Sequence, residues 1–86
     1  MTDATGRNPP PMVRIFAGNI REFIGYLDAK GTDRNRAGYI HDADSLAGLA
    51  RGTEIIITGN YRENPRYPAV LQTIMERDMT AIYDPY

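Results

Sequence analysis

Three consecutive isoleucines, Ile55-Ile56-Ile57, run into Thr58-Gly59-Asn60, and this stretch limits the fold more than any other. β-branched side chains favour a pleated backbone, and successive strand residues point to opposite faces, so a run apolar at every position needs both faces of its sheet covered. That is the condition of a central strand in a parallel sheet with helices on each side. The loop that follows, Gly59, Asn60, Tyr61, Arg62 and Glu63, then sits at the strand's carboxyl end.

The remaining chain supplies what such a strand requires. Met12 to Ala17 is mostly apolar and reads as a strand that Gly18-Asn19 turns into a helix, with Asn19 as cap and Glu22 placed to reach back in a capping box. Ile20, Phe23, Ile24 and Leu27 form one apolar face, and Gly31 ends the helix. Ala37 to His41 is a shorter strand with the mixed character of an edge. Asp42, Asp44 and Ser45 offer caps for a helix of about two turns carrying Leu46, Ala47, Leu49 and Ala50, which Gly52 ends. From Asp42 to Thr53 there is just enough chain for a parallel crossover, whose minimum is ~10 to 12 residues; without it the second strand would pair antiparallel. Pro68 fits the first turn of a further helix striped by Val70, Leu71, Ile74 and Met75, and Thr80 to Tyr83 is a last strand before Asp84-Pro85.

Alternating strands and helices with right-handed crossovers give an α/β fold, a small four-stranded, mainly parallel, Rossmann-like or flavodoxin-like sheet with helices on both faces. The two most apolar strands belong in the centre, so the spatial order is 2-1-3-4. The 86 residues form one domain, 12–86, behind a flexible proline-rich tail, 1–11, that ends in Asn8-Pro9-Pro10-Pro11.

A net charge of -1 argues against a duplex-DNA binder, and no apolar stretch approaches the ~20 residues of a membrane span. There are no cysteines, and the opening residues lack the basic-then-apolar order of a secretory signal, so the expected location is cytoplasmic.

Ligands of such sheets bind beyond the carboxyl ends of the central strands, where the winding reverses. Gly18 and Asn19 would line that crevice from one side and Gly59, Asn60, Tyr61, Arg62 and Glu63 from the other. Small residues let a ligand approach the backbone, and the loop combines a stacking ring, a cation and a carboxylate suited to a nucleotide-like ligand; the same residues also serve as plain turn formers. Neither dinucleotide nor phosphate-loop glycine patterns occur, and no cofactor is expected. Asp42 and Asp44 are accounted for as caps, and His41 stands without the partners that zinc or base catalysis needs, so no metal site and no catalytic residue is assigned.

Three segments carry a resemblance across Val13 to Tyr83: Arg14-Ile15-Phe16-Ala17-Gly18, then Tyr39-Ile40 with Asp44-Ser45-Leu46-Ala47-Gly48-Leu49, then Ile57-Thr58-Gly59 with Tyr61-Arg62-Glu63-Asn64-Pro65. In these the chain resembles a group of small accessory proteins of actinobacteriophages, which implies a phage origin, a place in the host cytoplasm and no catalytic residues. Ile15 to Gly18 is also similar to the first strand and Ala-Gly turn of nucleoside deoxyribosyltransferases and TIR-like domains, whose acidic motif has no counterpart here. The expected function is therefore non-enzymatic binding of a host protein, with a nucleotide-binding module as the alternative and an enzyme relying on Glu63 as the third. The last strand, Thr80-Ala81-Ile82-Tyr83, is an uncharged edge, and Ile82 and Tyr83 are its candidate interface residues in a homodimer.

Overall fold

In the computed structural model, which describes residues 13–85, the isoleucine strand is central: β1 (Val13–Phe16) and β3 (Glu54–Ile57) lie side by side, flanked by β2 (Ala37–Tyr39) and β4 (Thr80–Tyr83). The order is β2-β1-β3-β4 and every pairing is parallel. The proline-rich segment 1–11, Met12 and Tyr86 lie outside the described residues.

Alternation along the central strands divides the core between two faces. Ile15 and Ala17 pack with Phe23, Tyr26 and Leu27 of helix α1 (Ile20–Lys30), and Ile56 joins them from β3. Phe16, Ile55 and Ile57 point the other way, into a cluster with Leu46, Met79 and Val70 and Ile74 of helix α2 (Tyr67–Glu76). The uniformly apolar isoleucine run thus feeds both cores from a single strand, as parallel sheets require.

Local chemistry sets the helix ends. The Asn19 side chain accepts from the Glu22 N–H at 2.9 Å, and Gly31 closes α1 in the left-handed conformation. Within α1 the buried face is shifted from the expected one. Ile20 is half exposed at 49 %, whereas Tyr26 is buried and its hydroxyl donates to the Asp84 carboxylate just past β4.

The segment after β2 departs further from expectation. In place of a two-turn helix there is one 3₁₀ turn, Ala43–Leu46, with Asp42 as its cap, followed by irregular chain in which Gly48 and Gly52 have positive φ. Leu46 is fully buried, Ile40 nearly so, and partly buried Leu49 packs beside them, so the crossover is held against the α2 core without a regular helix. His41 lies just beyond β2, its N–H donating to Ser45 Oγ at 3.1 Å. The crossover is nonetheless completed and β2 is parallel to β1.

Candidate functional site

Both central strands end in a Gly-Asn pair, and the fold brings the pairs together. An added Cβ on Gly18 would lie 2.7 Å from the Asn60 carbonyl oxygen, too close for any side chain, while Gly59 has φ +63°, a conformation natural to glycine. The close approach of the two turns is therefore a consequence of the two glycines.

What occupies the junction is Glu22. Its carboxylate accepts from the Gly18 N–H at 2.9 Å, from the Asn60 N–H at 2.8 Å and from Asn60 Nδ2 at 2.8 Å. Where a capping box turns back onto its own helix, this glutamate also crosses to the neighbouring strand's loop and clasps the two turns to each other. The amide donors that would greet an anionic ligand at the switch point are already satisfied by an anion of the chain itself. Sequence reasoning assigned Glu22 only to helix capping; its spacing from Asn19 signalled the local half of this role and nothing signalled Asn60.

The predicted loop residues divide into groups. Gly18, Gly59 and Asn60 meet at the clasp, whereas Asn19 spends its side chain on the helix cap. Tyr61, Arg62 and Glu63 form a 3₁₀ turn outside it, with Arg62 and Glu63 exposed. Tyr61 is no free stacking ring: its centroid lies 5.1 Å from that of Tyr67 and 5.6 Å from that of Tyr83, and the Arg62 guanidinium sits 5.7 Å from its centre. Through Tyr67, which stacks on Phe16 at 6.1 Å, this aromatic chain runs from the core to the surface. Hydrogen bonding to Tyr67, then burial, pushes the Tyr83 hydroxyl above the ordinary phenol range.

Two side chains anchor the loops that carry these groups. Asn64 is buried, donates from Nδ2 to the Ala17 carbonyl at 2.9 Å and accepts from the Arg66 N–H at 2.8 Å, so it ties the end of β1 to the start of α2. Thr58, equally buried, donates to the Asp84 carbonyl at 2.7 Å. The Asp84 carboxylate in turn accepts from the Tyr26 hydroxyl at 2.6 Å and faces Lys30 Nζ at 3.5 Å. Tyr26 is pushed up to about 12, by burial first and then by its bond to Asp84, whose own carboxyl is held below the usual range by Tyr26 and, less, by Lys30.

Three depressions meet at this end of the sheet. One of about 440 Å³ follows Gly59 to Glu63, and one of about 360 Å³ lies over Glu22, Gly59, Asn60 and Pro85. The third, about 170 Å³ and the most enclosed, is lined by Ile57, Thr58, Gly59, Tyr61, Tyr83 and Pro85. Among the described residues no group of three histidine or acidic side chains is placed to hold a metal ion, and no helix is long and apolar enough to cross a membrane. Comparison with family models, with curated proteins and with solved structures finds no match for this chain.

Proposed function

We propose that the protein is a non-enzymatic phage accessory protein that binds a host protein through the surface at the carboxyl ends of its strands. The observation that carries this reading is the Glu22 clasp, which fills the anion-receptive position of the crevice and leaves a shallow surface of aromatic, aliphatic and arginine side chains around it. Ile20 at 49 % and Tyr83 at 50 % exposure are two large apolar side chains left open to solvent, Ile20 at the start of α1 and Tyr83 at the end of β4 against Tyr61. Tyrosine and arginine are enriched among the side chains that dominate protein interfaces, tyrosine because its rigid ring buries much area for little lost entropy and arginine because its planar guanidinium makes several directed hydrogen bonds. The phage assignment rests on the sequence resemblance. The test is capture from host lysate with the full chain as bait, beside a folded variant carrying Ile20→Ser, Tyr61→Ala and Arg62→Ala. One host protein retained by the first and lost from the second is the expected result; equal recovery on both baits refutes the surface, and no recovery refutes the reading.

A second reading has its own observation, the 170 Å³ recess beside Tyr61 and Tyr83 and over Thr58 and Gly59, of a size for a single planar ring. With the amides of Gly18 and Asn60 taken, its occupant would be the base or nucleoside part of a nucleotide-like ligand rather than the phosphate. Thermal shift against nucleobases, nucleosides and nucleotides tests it, since a ligand at ~100 times its dissociation constant stabilises by ~2.7 kcal/mol. A flat screen removes this reading.

A further inference from the structure

The two edges of the sheet are finished differently, and the difference selects a partner. Backbone groups of a strand alternate in direction, so each strand has one set of N–H and C=O groups facing its neighbour and one set facing out. In β2 the Ile40 N–H bonds inward to Ile15 O at 2.8 Å, which leaves Ala37, Tyr39 and His41 facing out. Ala37 N–H is taken by the Arg34 carbonyl and His41 N–H by Ser45 Oγ, so among the described residues of this edge only Tyr39 keeps an outward donor. This edge is closed by its own loops.

Among the described residues the β4 edge is open. Thr80 N–H bonds to Thr53 O and Asp84 N–H to Ile57 O, each at 3.0 Å, so residues 80, 82 and 84 face β3 and residues 81 and 83 face out. One step beyond on either side the outward series stops: Met79 N–H is committed to Ile74 O at 2.9 Å, and Pro85 has no N–H. The free edge is thus a window of two outward residues, Ala81 and Tyr83, centred on Ile82, with no charged side chain between Thr80 and Tyr83 and no lysine to guard it.

We infer that this edge pairs with the same edge of a second copy of the chain, antiparallel, with the two-fold axis at Ile82. In that register Ala81 of each copy exchanges both hydrogen bonds with Tyr83 of the other, every outward donor and acceptor in the window is used, and Ile82 faces its own counterpart as a non-hydrogen-bonded pair. A shift of two residues either way would place Pro85 or the committed Met79 N–H in the ladder, so the window admits this register and rejects its neighbours. The half-buried Ile82 side chains then cover each other on the α1 side, and two four-stranded sheets become one continuous sheet. The pairing leaves Arg62 and Tyr61 of the two copies at opposite ends, and it shares with the host-binding surface proposed above only Tyr83, whose ring lies 5.6 Å from that of Tyr61.

The chain contains no cysteine, which makes the register directly measurable. A non-hydrogen-bonded pair brings Cα atoms to ~4.5 Å, inside the ~4.4 to 6.8 Å a disulfide accepts, whereas Ala81 would stand roughly 8 Å from Ala81 of the partner. Under a glutathione redox buffer, Ile82→Cys should form a covalent dimer at least ~10-fold faster than the exposed control Gln72→Cys, because pairing raises the local thiol concentration. Ala81→Cys alone should match the control, and an equimolar mixture of Ala81→Cys with Tyr83→Cys should cross-link as the mixed dimer, an arm that does not depend on altering Ile82. Ile82→Cys no faster than the control together with an inert mixture overturns the inference, as does Ala81→Cys cross-linking to itself faster than Ile82→Cys does. For the unaltered chain, sedimentation should show a mass rising from one chain to two between ~1 μM and ~1 mM, the range of weak pairwise association. A single-chain mass throughout also overturns it.

Discussion

Replacing Glu22 with alanine removes the clasp between the two central strand ends and should cost more than an ordinary surface substitution. Three hydrogen bonds to a carboxylate are lost, at 2.9, 2.8 and 2.8 Å. Bonds to a charged group contribute ~1.5 to 3 kcal/mol each when sheltered, but Asn60 is exposed and its amide can turn to water, so only the two backbone donors count and at the low end. Loss of an acidic side chain from the first turn of α1 adds a few tenths, which the better helix propensity of alanine offsets. The sum is ~2 to 3 kcal/mol, and for a domain of this size 1 kcal/mol moves the melting temperature by ~4 to 8 °C, so Glu22→Ala should melt ~8 to 24 °C below the wild type. Circular dichroism melts give the shift, and amide exchange should accelerate at Gly18 and Asn60 ahead of the strands. A melting temperature within ~2 °C of the wild type, or unchanged exchange at those amides, would show that the clasp is an ornament of the surface and would remove its role in filling the crevice.

Gly18→Ala drives a methyl group against the Asn60 carbonyl 2.7 Å away, and since backbone on that side cannot yield cheaply, a loss of ~1 to 3 kcal/mol is expected in urea unfolding. Asn64→Ala leaves the Ala17 carbonyl and the Arg66 N–H without their partner in a buried place, so it should cost ~2 to 4 kcal/mol; a loss below ~1 kcal/mol would mean that water replaces the amide. Tyr26→Phe should act in a pH-dependent way. Asp84 is depressed in the folded state, so its contribution is present above the ordinary carboxylate range and is lost as pH falls through the folded value, and the gap between wild type and variant should close in acid. Tyr26 is raised from 10.0 to about 12, so its contribution is present below pH 10.0 and is lost as pH rises through about 12, where the wild type should lose stability that the phenylalanine variant keeps. A gap that stays constant across pH would refute the coupling.

Short-range pattern was sufficient for much of this molecule. The strand order, the span of α1 and the place of the two Gly-Asn turns follow from periodicity, capping residues and the burial that three consecutive isoleucines demand, whereas the direction of β2 stays open in the sequence and is parallel in the structure. The crossover after β2 was misjudged for the complementary reason. Leu46, Ala47, Leu49 and Ala50 have helical spacing, but one 3₁₀ turn with Leu46 buried and Leu49 packed beside it is enough, and nothing in the local sequence states how much chain the core can accept.

The site shows the same division more sharply. The loop Gly59 to Glu63 could be placed at the carboxyl end of the central strand from the sequence, because glycine and asparagine after an apolar run mark where a strand gives way to a turn. The bonds that decide its chemistry join residues far apart in the chain: Glu22 to Asn60 across 38 positions, Asn64 to Ala17 across 47 and Tyr26 to Asp84 across 58. Propensity and spacing carry no information about such pairs, because a carboxylate at the start of a helix is equally content with its own cap, with solvent or with a neighbouring turn until the sheet sets the distance. That Glu22 found the Asn60 amide, and that Tyr61 lies against two tyrosine rings, was settled by parallel pairing of β1 with β3 and of β3 with β4, which alone brings those loop ends within hydrogen-bonding and van der Waals reach.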